Sequence, residues 1–525
     1  MQVQGLDIKV INYINEIKTN YEKQITELKN DAIEYQNKYL EIKERYDLLV
    51  YKRFVRSAEQ LPNEEKQLLL FVTEGEETAC KDEQEDPAAE QLEVKSYKRN
   101  KPGRKPLDPS LPREEKIIDI QESEKICSCG TKLTRIGEET AEKLHIIPPR
   151  IYVERTVRPK YACRSCEGTE DEDSPAVRMA PVQPSIIPRS IVSPSLLSTI
   201  ITQKFEDHLP YYRQEKQFER IGVGISRQDM SNWQRQAYQS LSPLFTLLKQ
   251  TVKSGPVIQM DETTVQVMGE EGRENTQKSY MWLARGGLPG ETVVWYEYHP
   301  TRCANNAKEF LCGYSGYLQT DGYEGYDAAV KGNPNIIHVG CFAHARRKFF
   351  EASKATKKPQ SAQEGIKHIR KLYIIESELR NQNLDNETFL TERKIRAGPV
   401  LDGFRKWLLK RKEEVLPSLL LGKAINYSLA QWDKMTSYLE SPYLTPDNNA
   451  CENAIRPFVL GRKNWLFSQS PLGAESSCGM FTLIQTAKQN GLIPFRYLTE
   501  LFEKAPLAVS TEDWQKLLPW NIFTG

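Results

Sequence analysis

Three acidic residues stand where hard-metal chemistry is possible. Asp261 follows the apolar-rich run Val257-Ile258-Gln259-Met260, and Asp321 follows Tyr317-Leu318-Gln319-Thr320. Glu452 lies in NNACENAIRP, where Asn448 or Asn449 can cap a helix that carries Glu452 and Arg456 one turn apart. Acids at the centre or end of adjacent core strands are costly to bury unless they are paired or bound to cations. Carboxylates from two strands and a helix can hold two Mg²⁺ (or Mn²⁺) ions roughly 3.5–4 Å apart, which activate an oxygen nucleophile and stabilise the leaving oxygen of a phosphodiester. Plainer roles fit the same residues: Asp321-Gly322 is a common turn dipeptide, and Glu452 suits a solvated helix face.

Basic residues accompany the acids. From Arg346 to Lys371 there are nine Lys/Arg and two acids, among them Arg346, Arg347 and Lys348. A local excess of that size suits a phosphate-facing surface, or else a solvated helix face. Arg456, Arg462 and Lys463 follow Glu452 closely enough to reach phosphates beside bound metals. Cys341-x2-His344 puts two ligand types on one turn, and we read it as packing or orienting the core.

Two further groups point to structural metal and to DNA. Cys127-x-Cys129 and Cys163-x2-Cys166 offer four thiolates for a closed tetrahedral Zn²⁺ site with bonds of about 2.3 Å; a redox pair or unrelated buried thiols are the alternatives. His145 between them reads as a packing residue. Residues 209–239 show a helix, the break Gly222-Val223-Gly224, and a second helix capped by Ser226. The second helix displays Arg227, Gln228 and Asn232, able to reach base edges or phosphates, although any helical hairpin with a polar face shares the pattern.

These groups need scaffolding, and the chain has room for it. Its 525 residues suggest three or four domains. Residues 7–50 carry a heptad seam with Ile14, Tyr21, Leu28, Tyr35, Ile42 and Leu49 at d, and Ile11, Lys18, Ile25, Ala32, Tyr39 and Tyr46 at a. Such a seam faces a partner helix in a coiled coil, or packs on its own protein. An acidic stretch over 73–90 reads as linker, and Lys95–Lys105 is an extended basic strip with six basic residues and no acid. Pro175, Pro181, Pro184, Pro188 and Pro194 mark a connector before an all-helical stretch. From 256 to 340 the pattern turns to strands: VIQMDETTVQV, SYMWLARG and ETVVWYEYH in series, then a helix, and short strands at 317–320 and 336–339. That is a mixed α/β sheet. Residues 342–440 read as mostly helical.

The global balance excludes little about DNA, because 72 Lys+Arg against 71 Asp+Glu leave a net charge of +1. It does exclude other classes. No window approaches the ~18 apolar residues of a membrane span, and the first twenty residues lack the features of a secretory signal. The expected location is the cytoplasm, where ten dispersed cysteines stay reduced.

Taken together, CSCG…VRPKYACRSCEG, FEDHLPYYRQEKQFER, MDETTVQV, GYLQTDGYEGYD, HVGCFAHARRKFFEA and NNACENAIRPFVLGRKNWLFS resemble bacterial transposases of the insertion-sequence-66 family over roughly residues 95 to 490. The resemblance implies a ribonuclease-H-like catalytic core of the Asp-Asp-Glu type, with Asp261, Asp321 and Glu452 as the three acids. It also implies a leucine-zipper-like amino terminus, a zinc module, a helix-turn-helix, an insertion between the second acid and the Glu helix, and partner proteins encoded by the same mobile element. The first cysteine pair is tighter than a usual zinc knuckle, and tyrosines occupy part of the zipper seam.

The expected architecture is multidomain α+β: a coiled coil over 1–60, a linker with the basic strip over 61–112, a zinc module over 113–175, a helix-turn-helix domain over 176–255, a ribonuclease-H-like domain over 256–490 with a helical insertion at about 356–440, and a tail over 491–525. The expected function is a DNA transposase, paired through its coiled coil, that binds the element's terminal repeats and cuts and joins DNA at the nucleoid. A non-catalytic DNA-binding regulator, or a related nuclease that cuts without joining, are the alternatives.

Overall fold

The computed structural model describes residues 8–54, 151–162, 177–356 and 359–522, with isolated positions between 113 and 150. The basic strip at Lys95–Lys105 and all four cysteines of the expected zinc module lie outside the described residues. The chain divides into two compact units, Met1–Glu77 with Gln183–Gly525, and Thr78–Val182.

Helix α1 spans Ile8–Phe54, 47 residues without a glycine or proline to break it. Ion pairs one turn apart, such as Glu34–Lys38 at 2.6 Å and Glu41–Arg45 at 2.7 Å, line its polar sides. Its apolar seam faces solvent: Tyr21 is 62% exposed, Leu28 68% and Ile42 66%. In the second unit, strands β1 (Lys160–Ala162) and β2 (Val177–Met179) pair antiparallel, with Lys160 opposite Met179.

Four helices precede the sheet: α2 (Pro194–Phe205), α3 (Tyr211–Arg220), α4 (Arg227–Ser240) and α5 (Ser242–Val252). Ser193 caps α2, with Pro194 at its first position. Gly222 takes φ +81° in the turn between α3 and α4, a backbone state that L side chains rarely adopt. A reciprocal capping box of Ser226 and Asp229 then starts α4. Phe218, Ile225, Met230 and Trp233 are buried and hold the two helices in one core.

The sheet has five strands, β3 (Val257–Gln266), β4 (Lys278–Gly286), β5 (Val293–His299), β6 (Gly316–Gln319) and β7 (Ile336–Val339), in the order β5-β4-β3-β6-β7. The first three form an antiparallel meander, and β6 and β7 add in parallel on the other side of β3. Parallel additions need crossovers; short helices α6 (Ala304–Phe310) and α7 (Glu324–Val330) lie in these two connections. All five strands coincide with the stretches read from the sequence.

After β7 the chain turns helical: α8 (Phe342–Lys354), α9 (Gln360–Arg380), α10 (Asn386–Glu414), α11 (Leu420–Ala430) and α12 (Trp432–Thr436). Phe349, Leu372, Phe404, Leu408, Ile425 and Trp432 give this segment a hydrophobic core of its own, distinct from the one under the sheet. The end of α1 docks here. Tyr51 meets the Phe350 ring edge-on at 6.4 Å, and the Glu44 carboxylate accepts the Leu420 amide at 2.8 Å. Helix α13 (Asn449–Trp465) then returns to the sheet, followed by α14 (Pro471–Gln489), α15 (Pro494–Lys504) and α16 (Thr511–Lys516). Helix α14 lies along β5, where Thr482 and Thr486 hydroxyls accept the amides of Tyr296 and Val294. Among the described residues no helix is long and apolar enough to cross a membrane.

Candidate active site

Strand register places two of the acids. In the parallel pair β3–β6, Gln259 stands opposite Gln319, and their side chains hydrogen-bond at 2.8 Å. Side chains two residues apart along a strand share a face, so Asp261 lies one pleat beyond Gln259 at the same face of the central strand. Asp321 lies just past the end of β6, where its carboxylate accepts the Tyr323 amide at 2.9 Å.

The third acid arrives on α13. The sequence offered Asn448 or Asn449 as its cap; Asn448 is the N-cap residue, but its side chain makes no capping bond and has another task. Its amide donates to the Met260 carbonyl at 3.0 Å, hooking the helix start to β3 one residue before Asp261. Asn448 is 1% exposed, so this bond is made in a dry setting where an unmade one is costly. Glu452 follows one turn later and is buried. Pro457 interrupts the amide ladder of α13, and the Tyr296 hydroxyl donates to the Ala454 carbonyl beside it.

The three acids converge. Burial, together with the negative charges of Glu262, Glu452 and Asp321, holds the Asp261 carboxyl well above the usual carboxylate range. Glu262, unremarked in the sequence, is also pushed up by burial, against the pull of Arg302. Arg302 Nε donates to Glu262 at 2.6 Å, and the Tyr326 hydroxyl donates to its other oxygen. Glu262 is therefore spent on packing, leaving Asp261 beside the other two acids.

The basic residues of α8 turn partly inward. Arg347 Nη2 reaches Glu452 at 3.4 Å. Lys348 sits over the ring of Tyr427 at 4.8 Å, and Arg346 lies 6.0 Å from the Tyr373 ring. Tyr427, carried by α11, packs so closely on Gly322 that a Cβ there would meet its ring at 2.7 Å. Cys341 is buried at the start of α8, and the His344 imidazole is pushed down to about 3 by burial and by Arg347 and Lys348. Behind Asp321, His338 bridges the Thr320 hydroxyl (2.8 Å) and Asp327 (2.7 Å), which also binds Lys434. Tyr427 and His338 were missed in the sequence, because only folding brings them to the acids, and Glu262 because nothing local reveals its partners Arg302 and Tyr326.

The remaining basic candidates differ in setting. Arg462 is engaged by β3, donating to the Thr263 hydroxyl at 2.9 Å and to Thr264. Arg456 is half-buried and Lys463 exposed. On α4, Arg227 and Gln228 are exposed, while Asn232 is half-buried and accepts a hydrogen bond from Arg235.

Comparison with known proteins identifies the family. Residues 189–476, containing all three acids, match the family described as Transposase IS66 family. Residues 124–167, containing Cys127, Cys129, Cys163 and Cys166, match the zinc-finger binding domain of transposase IS66. Residues 482–520 match the IS66 C-terminal element, and 41–115 match a domain described as Transposase C of IS166 homeodomain. Two uncharacterized proteins of Sinorhizobium fredii are similar: y4jD, 32% identical over 79% of this chain and 81% of its own length, and y4hP, 30% identical over 90% and 85%. Among solved structures, the Drosophila P element transposase strand transfer complex aligns with a TM-score of 0.32 at 12% identity, covering 57% of this chain and 92% of that one. With a family match across more than half its length, the chain belongs to the IS66 transposase family.

Proposed function

We propose that this protein is a DNA transposase that binds the terminal repeats of an insertion sequence, cuts there, and joins the freed ends to target DNA. The observation that carries the reading is the convergence of Asp261, Asp321 and Glu452 from two parallel-paired strands and a returning helix. The sheet order β5-β4-β3-β6-β7, with an antiparallel meander and two parallel additions, supports a ribonuclease-H-like core around these acids.

The three side chains fit divalent ions. All their donor atoms are carboxylate oxygens, the hard ligands that Mg²⁺ and Mn²⁺ prefer. Burial, and then the charges of Glu262, Glu452 and Asp321, disfavour the Asp261 carboxylate, and a bound cation offsets both. Asp261, Asp321 and Glu452 would hold the ions. When bound, such a pair supplies charge neutralisation and an activated oxygen nucleophile for phosphodiester displacement.

The chain's own residues perform the positioning. Asn448 fixes the Glu helix against β3, the Tyr323 amide orients Asp321, and Arg347 holds one oxygen of Glu452. Arg346, Lys348, Arg456, Arg462 and Lys463 give this region its positive charge for DNA phosphates. Arg227 and Gln228 at the start of α4, with Asn232, serve terminal-repeat binding. Cys127, Cys129, Cys163 and Cys166 hold a structural Zn²⁺ in the amino-terminal module, and the exposed seam of α1 pairs two protomers so that two ends meet.

The test uses labelled element ends and Mg²⁺. Wild-type protein is expected to give cut and joined products, whereas Asp261→Asn binds the ends and gives neither. Full activity in that variant removes the assignment of the acids. Binding without nicking in the wild type favours a regulator, and cutting of ends with no joining of pre-cleaved ends favours a hydrolase.

A further inference from the structure

The first turn of α8 carries Cys341 and His344 toward the helix that bears Glu452. The Cys341 Sγ, a ring nitrogen of His344 and a carboxylate oxygen of Glu452 all lie within 4.8 Å of one another. His344 Nδ1 is 3.6 Å from Glu452 Oε1, too long for a good hydrogen bond. It is the right span for two ligands of one ion, because bonds of about 2.0–2.3 Å in tetrahedral array put ligand atoms roughly 3.3–3.7 Å apart.

Two independent observations mark the place as a site. His344 Nδ1 is buried and makes no hydrogen bond, an arrangement that folded proteins avoid unless something else satisfies the atom. The Cys341 Sγ, on a residue 1% exposed, accepts the backbone amide of Asn448 at 3.3 Å, the kind of donor that steadies a sulfur anion. The second oxygen of Glu452 faces Arg347 at 3.4 Å, so the carboxylate points its two oxygens at different partners.

We propose that Cys341, His344 and Glu452 form a binding site for a borderline-soft divalent cation, Zn²⁺ above all, adjoining the all-oxygen site of Asp261, Asp321 and Glu452 and sharing Glu452 with it. A sulfur, an imidazole nitrogen and one carboxylate oxygen select zinc over magnesium, which prefers oxygen ligands. Three protein ligands leave the fourth position of a tetrahedral ion open. Glu452 is common to both sites, so zinc ties it to α8 by one oxygen. The inference concerns binding by the chain without DNA, and it stands or falls independently of the transposase reading.

The experiment is metal content and cobalt spectroscopy on the full-length protein. Wild-type protein, loaded with Zn²⁺ and freed of excess metal, is expected to hold one more equivalent than Cys341→Ser or His344→Ala, and to keep it in millimolar Mg²⁺. Co²⁺ loading is expected to give thiolate-to-cobalt absorption that weakens in Cys341→Ser, over the constant contribution of the amino-terminal cysteines. Equal zinc content and identical cobalt spectra in wild type and both variants, each melting as the wild type does, overturn the proposal. So does loss of that equivalent to Mg²⁺. A variant that melts early is replaced by Glu452→Gln, whose isosteric amide keeps the packing and which is expected to lose the same equivalent.

Discussion

Without divalent ions, the site should weaken the fold that carries it, and removing one charge should reveal this. Asp261 accepts the Glu262 amide at 2.9 Å through a carboxylate oxygen, a bond that the side-chain carbonyl of an asparagine can also make. Asp261→Asn therefore keeps the local hydrogen bond and removes a buried negative charge that faces Glu262, Glu452 and Asp321. Two unit charges roughly 6 Å apart at an effective dielectric near 20 repel by about 3 kcal/mol. Arg302 and Arg347 neutralise part of Glu262 and Glu452, so the net relief should be about 1–3 kcal/mol. For a large domain that raises Tm by roughly 1–4 °C. The sign with pH follows from the upward shift: the wild-type carboxyl contributes its full stability below the ordinary carboxylate range and loses it as pH rises through its folded pKa. The advantage of Asp261→Asn should thus grow toward neutral pH. Mg²⁺ at ten times its Kd should return about 1.4 kcal/mol to the wild type and little to the variant. Thermal melts followed by circular dichroism, in chelator and in Mg²⁺ across pH, measure all of this. A natively folded Asp261→Asn that melts below the wild type in chelator refutes the reasoning, as does an equal Mg²⁺ shift in both proteins.

Other perturbations probe separate parts of the molecule. Asn448→Ala removes the hook to the Met260 carbonyl and should cost about 1–3 kcal/mol, read as a lower denaturant midpoint, with a smaller Mg²⁺ shift because Glu452 is less well placed. Glu297 is half-buried, which raises its carboxyl, but hydrogen bonds and charge from His299, Lys249 and Trp295 outweigh this and hold it down at about 2. Its contribution to stability is present above the ordinary value of 4.5 and is lost as pH falls toward about 2. Lys249→Met should shrink that contribution, visible as a flatter acid limb in midpoint against pH. Placing charge in the seam of α1, as in Leu28→Glu with Tyr21→Glu, should convert a self-associated species to monomer in sedimentation while the catalytic unit still melts normally.

Much of the scaffold is legible because its signals are local. The strand runs that lead to Asp261 and Asp321, the break at Gly222 and the Ser226 cap all depend on neighbours in sequence. The convergence of the acids was inferred from residue type, and the structure provides the means: a parallel register between β3 and β6, and a side-chain hook across 188 positions from Asn448 to Met260. The helix start at Asn448 was legible, but no local pattern encodes such a bond. The same holds for Tyr427, which reaches Gly322 from another helix, and for Glu262, whose partners Arg302 and Tyr326 come from different connections. The charge run from Arg346 to Lys371 suggested a phosphate-facing surface or a solvated helix face; Arg347 instead reaches Glu452, and Lys348 lies over the ring of Tyr427.

The loop before Asn448 has an implication for assembly. The Leu444 carbonyl is gripped by Arg380 and Arg393, that of Thr445 by Gln319, and that of Pro446 by the Phe342 amide. Two acids are delivered by the sheet alone, yet the last comes home only after the intervening helices have closed around their own core. A newly made chain with that detour unfinished would carry two acids and lack the third, so on the proposed reading the site is incomplete until the long excursion has folded.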